Sequence, residues 1–182
     1  MKSLALALAA SGMIALAAPV AATTWLETPE ARSAAAEAAD VARTDMIAKF
    51  GTDSLKPGHY LWDKDAGSSG APRVVVSLDD QLAYLYRGDE LVAVSTISSG
   101  KPGKDTPTGI FPIREKKAMH HSRKYDNAPM PHMQRLDDYG IALHAGQIPG
   151  HRASRGCVRL PAAFAAKLFR ETRVGTPVLI GA

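Results

Sequence analysis

The 182-residue chain holds a single cysteine, two tryptophans and four phenylalanines, and beyond its N-terminus it has no long apolar run. One thiol excludes an internal disulfide, which needs two. The lack of any later run near ~20 apolar residues excludes a second membrane-spanning helix. Charge of one sign is also missing: 22 Lys and Arg stand against 18 Asp and Glu, for a net charge of +4. The cations are scattered along the chain and not gathered on one helix, which argues against a nucleic-acid partner. A mildly basic surface suits a substrate rich in carboxylates, and it equally suits an ordinary solvated exterior. No internal repeat is visible.

What is present begins with MKSLALALAASGMIALAAPVAATTW. One cation, Lys2, precedes an apolar run from Leu4 to Ala18 and then small residues, the layout of a secretory signal peptide. Val20 and Ala22 satisfy the small-residue rule, so cleavage is expected between Ala22 and Thr23. The run is about 15 residues and Ser11 and Gly12 interrupt it, which is short for an uncleaved anchor. No cysteine follows it, so a lipoprotein attachment site is absent. The expected organisation is a signal peptide over 1–22, a helical lead-in and linker over 23–72, and one catalytic domain over 73–182. Export to the periplasm or cell envelope follows, with no stable membrane insertion after cleavage.

From Thr28 to Phe50 the pattern is an amphipathic helix, with a cap at Thr28, Pro29 at the first turn, and Ala35, Ala39, Ala42, Met46 and Phe50 at helical spacing. Gly51 ends it, and the Gly, Pro, Ser and Asp that accumulate up to Pro72 read as a linker or loosely packed lead-in. The period then changes. RVVVSL, QLAYLY, LVAVSTI, GIFPIRE, GIALHA and TPVLIGA are short runs of strand formers separated by turn residues. One helix interrupts them, from Pro161 to Gly175, with Phe164, Ala165, Leu168 and Phe169 on one side. The fold class is mainly β with one or two helices, a sandwich or a mixed-sheet architecture.

Cys157 is therefore a buried small hydrophobe, an intermolecular link or a nucleophile. Its surroundings favour the last: Gly156 precedes it, and Arg155 and Arg159 flank it. Positive neighbours stabilise a thiolate, which is the reactive form. A glycine before the nucleophile also lets backbone N–H groups turn toward a carbonyl, forming an oxyanion hole. A thiol that cleaves an amide needs an imidazole to carry protons. His144 ends the apolar GIALH and is the best placed; His151 is a rival set among polar loop residues. His120, His121 and His132 fall in a stretch that reads as a polar loop. These five histidines with Asp137 and Asp138 could instead form a zinc site, but no H-x-x-x-H or H-x-H spacing occurs.

With those residues named, the chain resembles the L,D-transpeptidase catalytic domain of the YkuD (ErfK/YbiS) family, from about Arg73 to Ile180. The likeness is carried by VSLDDQLAYLYRGDELV, STISSGKPGKDTPTGIFPI, YDNAPMPHMQRL, GIALHAG and SRGCVRLP. It implies a β-sandwich-like fold of mixed sheets with a C-terminal helix. It also implies a cofactor-free envelope enzyme that binds no metal and cuts the bond between diaminopimelate and D-Ala in a peptidoglycan stem peptide. The stem is held as a Cys thioester and passed to an amine, whether of another stem, an envelope lipoprotein or a D-amino acid, or to water. By position, Cys157 matches the nucleophile, His144 the proton carrier, and Gly156 with Cys157 the oxyanion hole. Arg159 matches a residue that holds the stem or the loop. Tyr125, Met130 and His132 fall in the segment over the cleft, where they and Arg155 would bind the stem. The family's usual block is Ser-His-Gly-Cys, and here Arg155 stands in place of that histidine. A zinc-dependent peptidase and a catalytically inactive wall-binding module are the competing readings.

Overall fold

A computed structural model describes residues 27–182; the expected signal peptide and its cleavage point lie outside the described residues. Helix α1 (Pro29–Phe50) starts where the sequence places it. The Thr28 hydroxyl accepts from the Ala31 N–H at 3.2 Å, and Gly51 closes the helix at φ +69° with its N–H on the Ile47 carbonyl. Its buried face is almost all alanine: Ala31, Ala35, Ala39 and Ala42, with Met46 at the far end.

Small residues let this helix lie very close to a sheet. A Cβ added at Gly181 would come within 2.5 Å of the Ala35 carbonyl oxygen. That sheet has six strands in the order β1-β4-β3-β2-β10-β5, formed by β1 (Tyr60–Trp62), β2 (Pro72–Ser77), β3 (Leu82–Arg87), β4 (Glu90–Thr96), β5 (Gly109–Pro112) and β10 (Pro177–Gly181). β10 runs parallel to β2 and antiparallel to β5; the other pairs are antiparallel. β2, β3 and β4 are buried on both faces, which explains their near-continuous apolar sequences. One face packs Val75, Tyr84, Tyr86 and Val94 under Ala39, Ala42 and Met46. The other supplies Val74, Val76, Leu85 and Ala93 to the main core.

The second sheet has four strands in the order β6-β7-β8-β9: β6 (Glu115–His121), β7 (Pro129–Arg135), β8 (Ala142–Ala145) and β9 (Val158–Leu160). α2 (Ala162–Glu171) packs on β7 and β8, burying Phe164, Ala165 and Leu168. Leu143, Ala145, Val158 and Leu160 meet those residues and the first sheet in the main core. The architecture is the mixed-sheet, mainly β fold expected. After β4 the chain crosses to the second sheet, where Ser98 and Arg159 exchange two backbone hydrogen bonds of 3.0 and 3.1 Å.

Three local expectations are corrected. The stretch holding His120, His121 and His132 is a hairpin, β6 and β7, and not a polar loop. The lead-in before Pro72 contributes an edge strand, Tyr60–Trp62, paired with Ala93–Ser95 of β4. The second helix ends at Glu171, short of Gly175, because Thr172 turns extended.

Candidate active site

β8 and β9 are parallel neighbours, with His144 opposite Arg159 and Leu143 opposite Val158. Alternation along each strand sends Leu143, Ala145, Val158 and Leu160 into the core. Ala142 and His144 consequently project from the other face, as do Cys157 and Arg159. His144 and Cys157 are thus diagonal neighbours on one surface, at the floor of a cleft of about 1260 Å³ that both line.

His144 is buried, and its Nδ1 lies 2.9 Å from the carbonyl of Ala145. That acceptor assigns the Nδ1 proton and leaves Nε2 free to accept one, the tautomer a general base requires. Burial pulls the imidazole below its ordinary range; the Ala145 carbonyl opposes this, and Arg159 and His120 add to it. Cys157 is half-buried against Met130, Met133 and Ala142. Its thiol donates to the Gly140 carbonyl at 3.5 Å. Burial pushes the thiol above its ordinary range and Asp137 pushes the same way, while a backbone contact from Ala142 and the Arg159 charge pull back. Both shifts favour the uncharged forms, a thiol and a neutral imidazole. Of the flanking arginines expected to favour a thiolate, Arg159 acts in that direction against desolvation, while Arg155 stacks on Tyr125.

The turn that carries Cys157 is built by residues whose roles adjacency in sequence did not announce. Ser154 Oγ donates to the Cys157 carbonyl at 2.5 Å and accepts from the Gly156 N–H at 3.1 Å. Gly156 therefore differs from the oxyanion donor expected of it, since its N–H is already committed. Glycine is required there for another reason: φ is +117°, and a Cβ would meet Ile141 Cδ1 at 2.8 Å. Thr106 Oγ1 donates to the Gly156 carbonyl at 2.8 Å and accepts from Gly100 at 2.9 Å, tying the T-P-T-G segment to this turn. Asp137, buried, accepts from the N–H groups of Tyr139 and Ile141 and so fixes the carbonyl of Gly140 on which the thiol rests. The signals were the serine three residues before Cys157 and the first threonine of T-P-T-G, each a short polar side chain within three residues of a glycine.

Arg159, Arg155, Tyr125 and Met130 also line the cleft, and so does His120. The stem of Arg159 crosses Gly146, where a Cβ would lie 3.0 Å from its Cγ and Cδ. His132 does not line the cleft. It sits in β7 at φ +54°, with its ring against Phe169 of α2 at 5.6 Å between centroids, so its expected part in substrate binding is not supported by position. His151 and His121 are exposed and do not line the cleft. Among the described residues no three His, Cys, Asp or Glu side chains converge as metal ligands would.

The L,D-transpeptidase catalytic domain model, YkuD, matches residues 71–180. The chain belongs to the L,D-transpeptidase catalytic domain family. No curated protein sequence matches it. Among solved structures, an L,D-transpeptidase from Mycobacterium smegmatis superposes with a TM-score of 0.57 at 20% identity, over 61% of this chain and 58% of that one. One from Xylanimonas cellulosilytica gives 0.56 at 26% identity, over 65% and 63%. One from Stackebrandtia nassauensis gives 0.57 at 24% identity, over 77% and 64%. The matched part is thus less than two thirds of each of those chains. Within this L,D-transpeptidase domain the matched segment contains β2 to β9 and all but the last residue of β10, while α1 and β1 lie before it.

Proposed function

We propose that the chain is a thiol-dependent L,D-transpeptidase acting on peptidoglycan stem peptides after export to the cell envelope. The observation that carries this reading is the placement of His144 and Cys157 on one face of adjacent strands at the cleft floor, in a chain of this family. Cys157 Sγ attacks the carbonyl of the diaminopimelate–D-Ala bond while its proton passes to His144 Nε2. Burial favours the uncharged form of both groups, so in this reading proton transfer accompanies attack. In this reading the backbone N–H of Cys157 serves the developing oxyanion, because that of Gly156 is engaged by Ser154 Oγ. The C–N bond then breaks, His144 returns its proton to the departing D-Ala amine, and the stem is left as a thioester on Cys157. An acceptor amine gives up a proton to His144 and attacks that thioester, forming a new amide and freeing the thiol; water gives a tripeptide. Arg159, held over Gly146, together with Met130, Tyr125 and Arg155, orients the stem.

Incubation of the mature protein with purified tetrapeptide muropeptides, followed by mass spectrometry, tests the reading. A crosslinked dimer, an exchanged fourth residue or a trimmed tripeptide is expected, each identifying a different acceptor and each abolished by iodoacetamide. Activity that survives iodoacetamide but disappears with a chelator would overturn the thiol mechanism.

A further inference from the structure

Arg155 is an exposed arginine two positions before the nucleophile, and its guanidinium carbon lies 4.8 Å above the ring of Tyr125. Tyr125 sits in the turn joining β6 to β7, so the stack ties the tip of that hairpin to the Cys157 turn across the mouth of the cleft. Stacking occupies a face of the guanidinium and leaves its N–H edge open. Other arginines of the fold have carboxylate partners: Arg43 has Asp80, Arg87 has Glu171, Arg135 has Glu115 and Arg152 has Asp79. No carboxylate or carbonyl among the described residues pairs with Arg155. The two acidic residues of the cleft lining, Glu115 and Asp138, are already engaged by Lys117, Arg135 and Arg114. Lys124 lies 5.7 Å from the same Tyr125 ring and adds charge of the same sign. The mouth thus holds a planar fork of donors, fixed by an aromatic face, without an internal anion.

We propose that Arg155 and Tyr125 form a carboxylate clamp that selects acyl donors bearing a free carboxylate beside the scissile bond. The clamp rests on the stem-peptide reading above and specifies what that site recognises. Arg155 lies within reach: two residues of chain separate its Cα from that of Cys157 by at most about 7 Å. A guanidinium accepts a carboxylate through two parallel hydrogen bonds and stays charged at any accessible pH. A histidine at this position, usual in the family, would offer one bond and lose its charge near neutrality. A stem tetrapeptide presents two such carboxylates, the terminal one of the leaving residue and the one on the diaminopimelate side chain. Separate amidation of each distinguishes them.

The test measures binding by calorimetry with Cys157→Ala, which cannot turn over, against the free-acid tetrapeptide and its two mono-amides. One amide is expected to bind about tenfold to a hundredfold more weakly than the acid, the worth of a charge-assisted hydrogen bond. Adding Arg155→Ala should weaken the acid by the same factor and bring acid and amide together. Arg155→Lys should restore only part of the difference, and Arg155→His should restore it only in acid. Equal binding of acid and both amides, or discrimination that persists without Arg155, overturns the clamp. Because binding is read without catalysis, these results stand apart from D-Ala release by the wild-type protein, which tests the activity alone.

Discussion

The two sheets are built on opposite terms. In the six-stranded sheet β2, β3 and β4 are covered on both sides, by α1 on one and by the core on the other, and their interior positions are mostly apolar. In the four-stranded sheet the β6–β7 hairpin carries Lys116, Lys117, His120 and Arg135, and β6 exposes most of its length. The first sheet is a frame whose stability comes from burial; the second holds its reactive groups by hydrogen bonds from short polar side chains. Stability and chemistry should therefore be separable by mutation.

The strongest way to break the comparison is at the thiol. Cys157→Ala and His144→Ala should each lower D-Ala release by ~10³-fold or more, with the thermal midpoint nearly unchanged. A melt shifted as far as the rate would show that site and frame are one unit. On the frame side, Met46→Ala removes the largest side chain that α1 buries and should cost about 2–5 kcal/mol in denaturant unfolding, with kcat of the folded fraction retained. A fall in kcat under native conditions would contradict the division.

A smaller effect sharpens the same contrast through pH. The buried imidazole has a lowered pKa, so the base is free at neutral pH and activity should fall only below the ordinary imidazole range. The thiol pKa is raised, so iodoacetamide labelling should keep climbing above the ordinary thiol range. A labelling plateau at neutral pH would instead reveal a preformed thiolate–imidazolium pair. The smallest expected effect is on the helix attachment. Tyr86 donates to Asp45 of α1 at 2.7 Å, and Tyr86→Phe should cost about 1 kcal/mol by chemical denaturation. Arg43→Ala, which removes half-exposed ion pairs with Asp53 and Asp80, should cost less than about 1 kcal/mol.

This division also explains what was legible in the sequence. The strands of the frame announce themselves because burial on both faces forces apolar runs, and α1 does so through its alanine stripe and its caps. β6 and β7 do not. EKKAMHH shows no apolar alternation, since pairing and not burial holds it, and PMPHMQR carries two prolines that argue against a strand. Those prolines are tolerated because β8 pairs only with Gln134 and Arg135, leaving the proline half of β7 with one strand neighbour. Cys157 and His144 were readable from the lone thiol, its glycine and the apolar run before the histidine. The commitment of the Gly156 N–H to Ser154 was not, because adjacency to a nucleophile does not reveal which neighbour takes a backbone donor. The placement of His132 depends on a left-handed residue within a strand, which its sequence context does not mark.

β10 lies between β2 and β5, although residues 177–181 are made after all the other strands. β5 pairs with no other strand of that sheet, so until those residues arrive its neighbour is missing. The timing of synthesis thus becomes a property of the fold. A growing chain can pair β2 with β3 and β3 with β4, yet it cannot complete the sheet until residues 177–181 have been made. The strand made last is thus the one that joins β5 to the rest of the sheet.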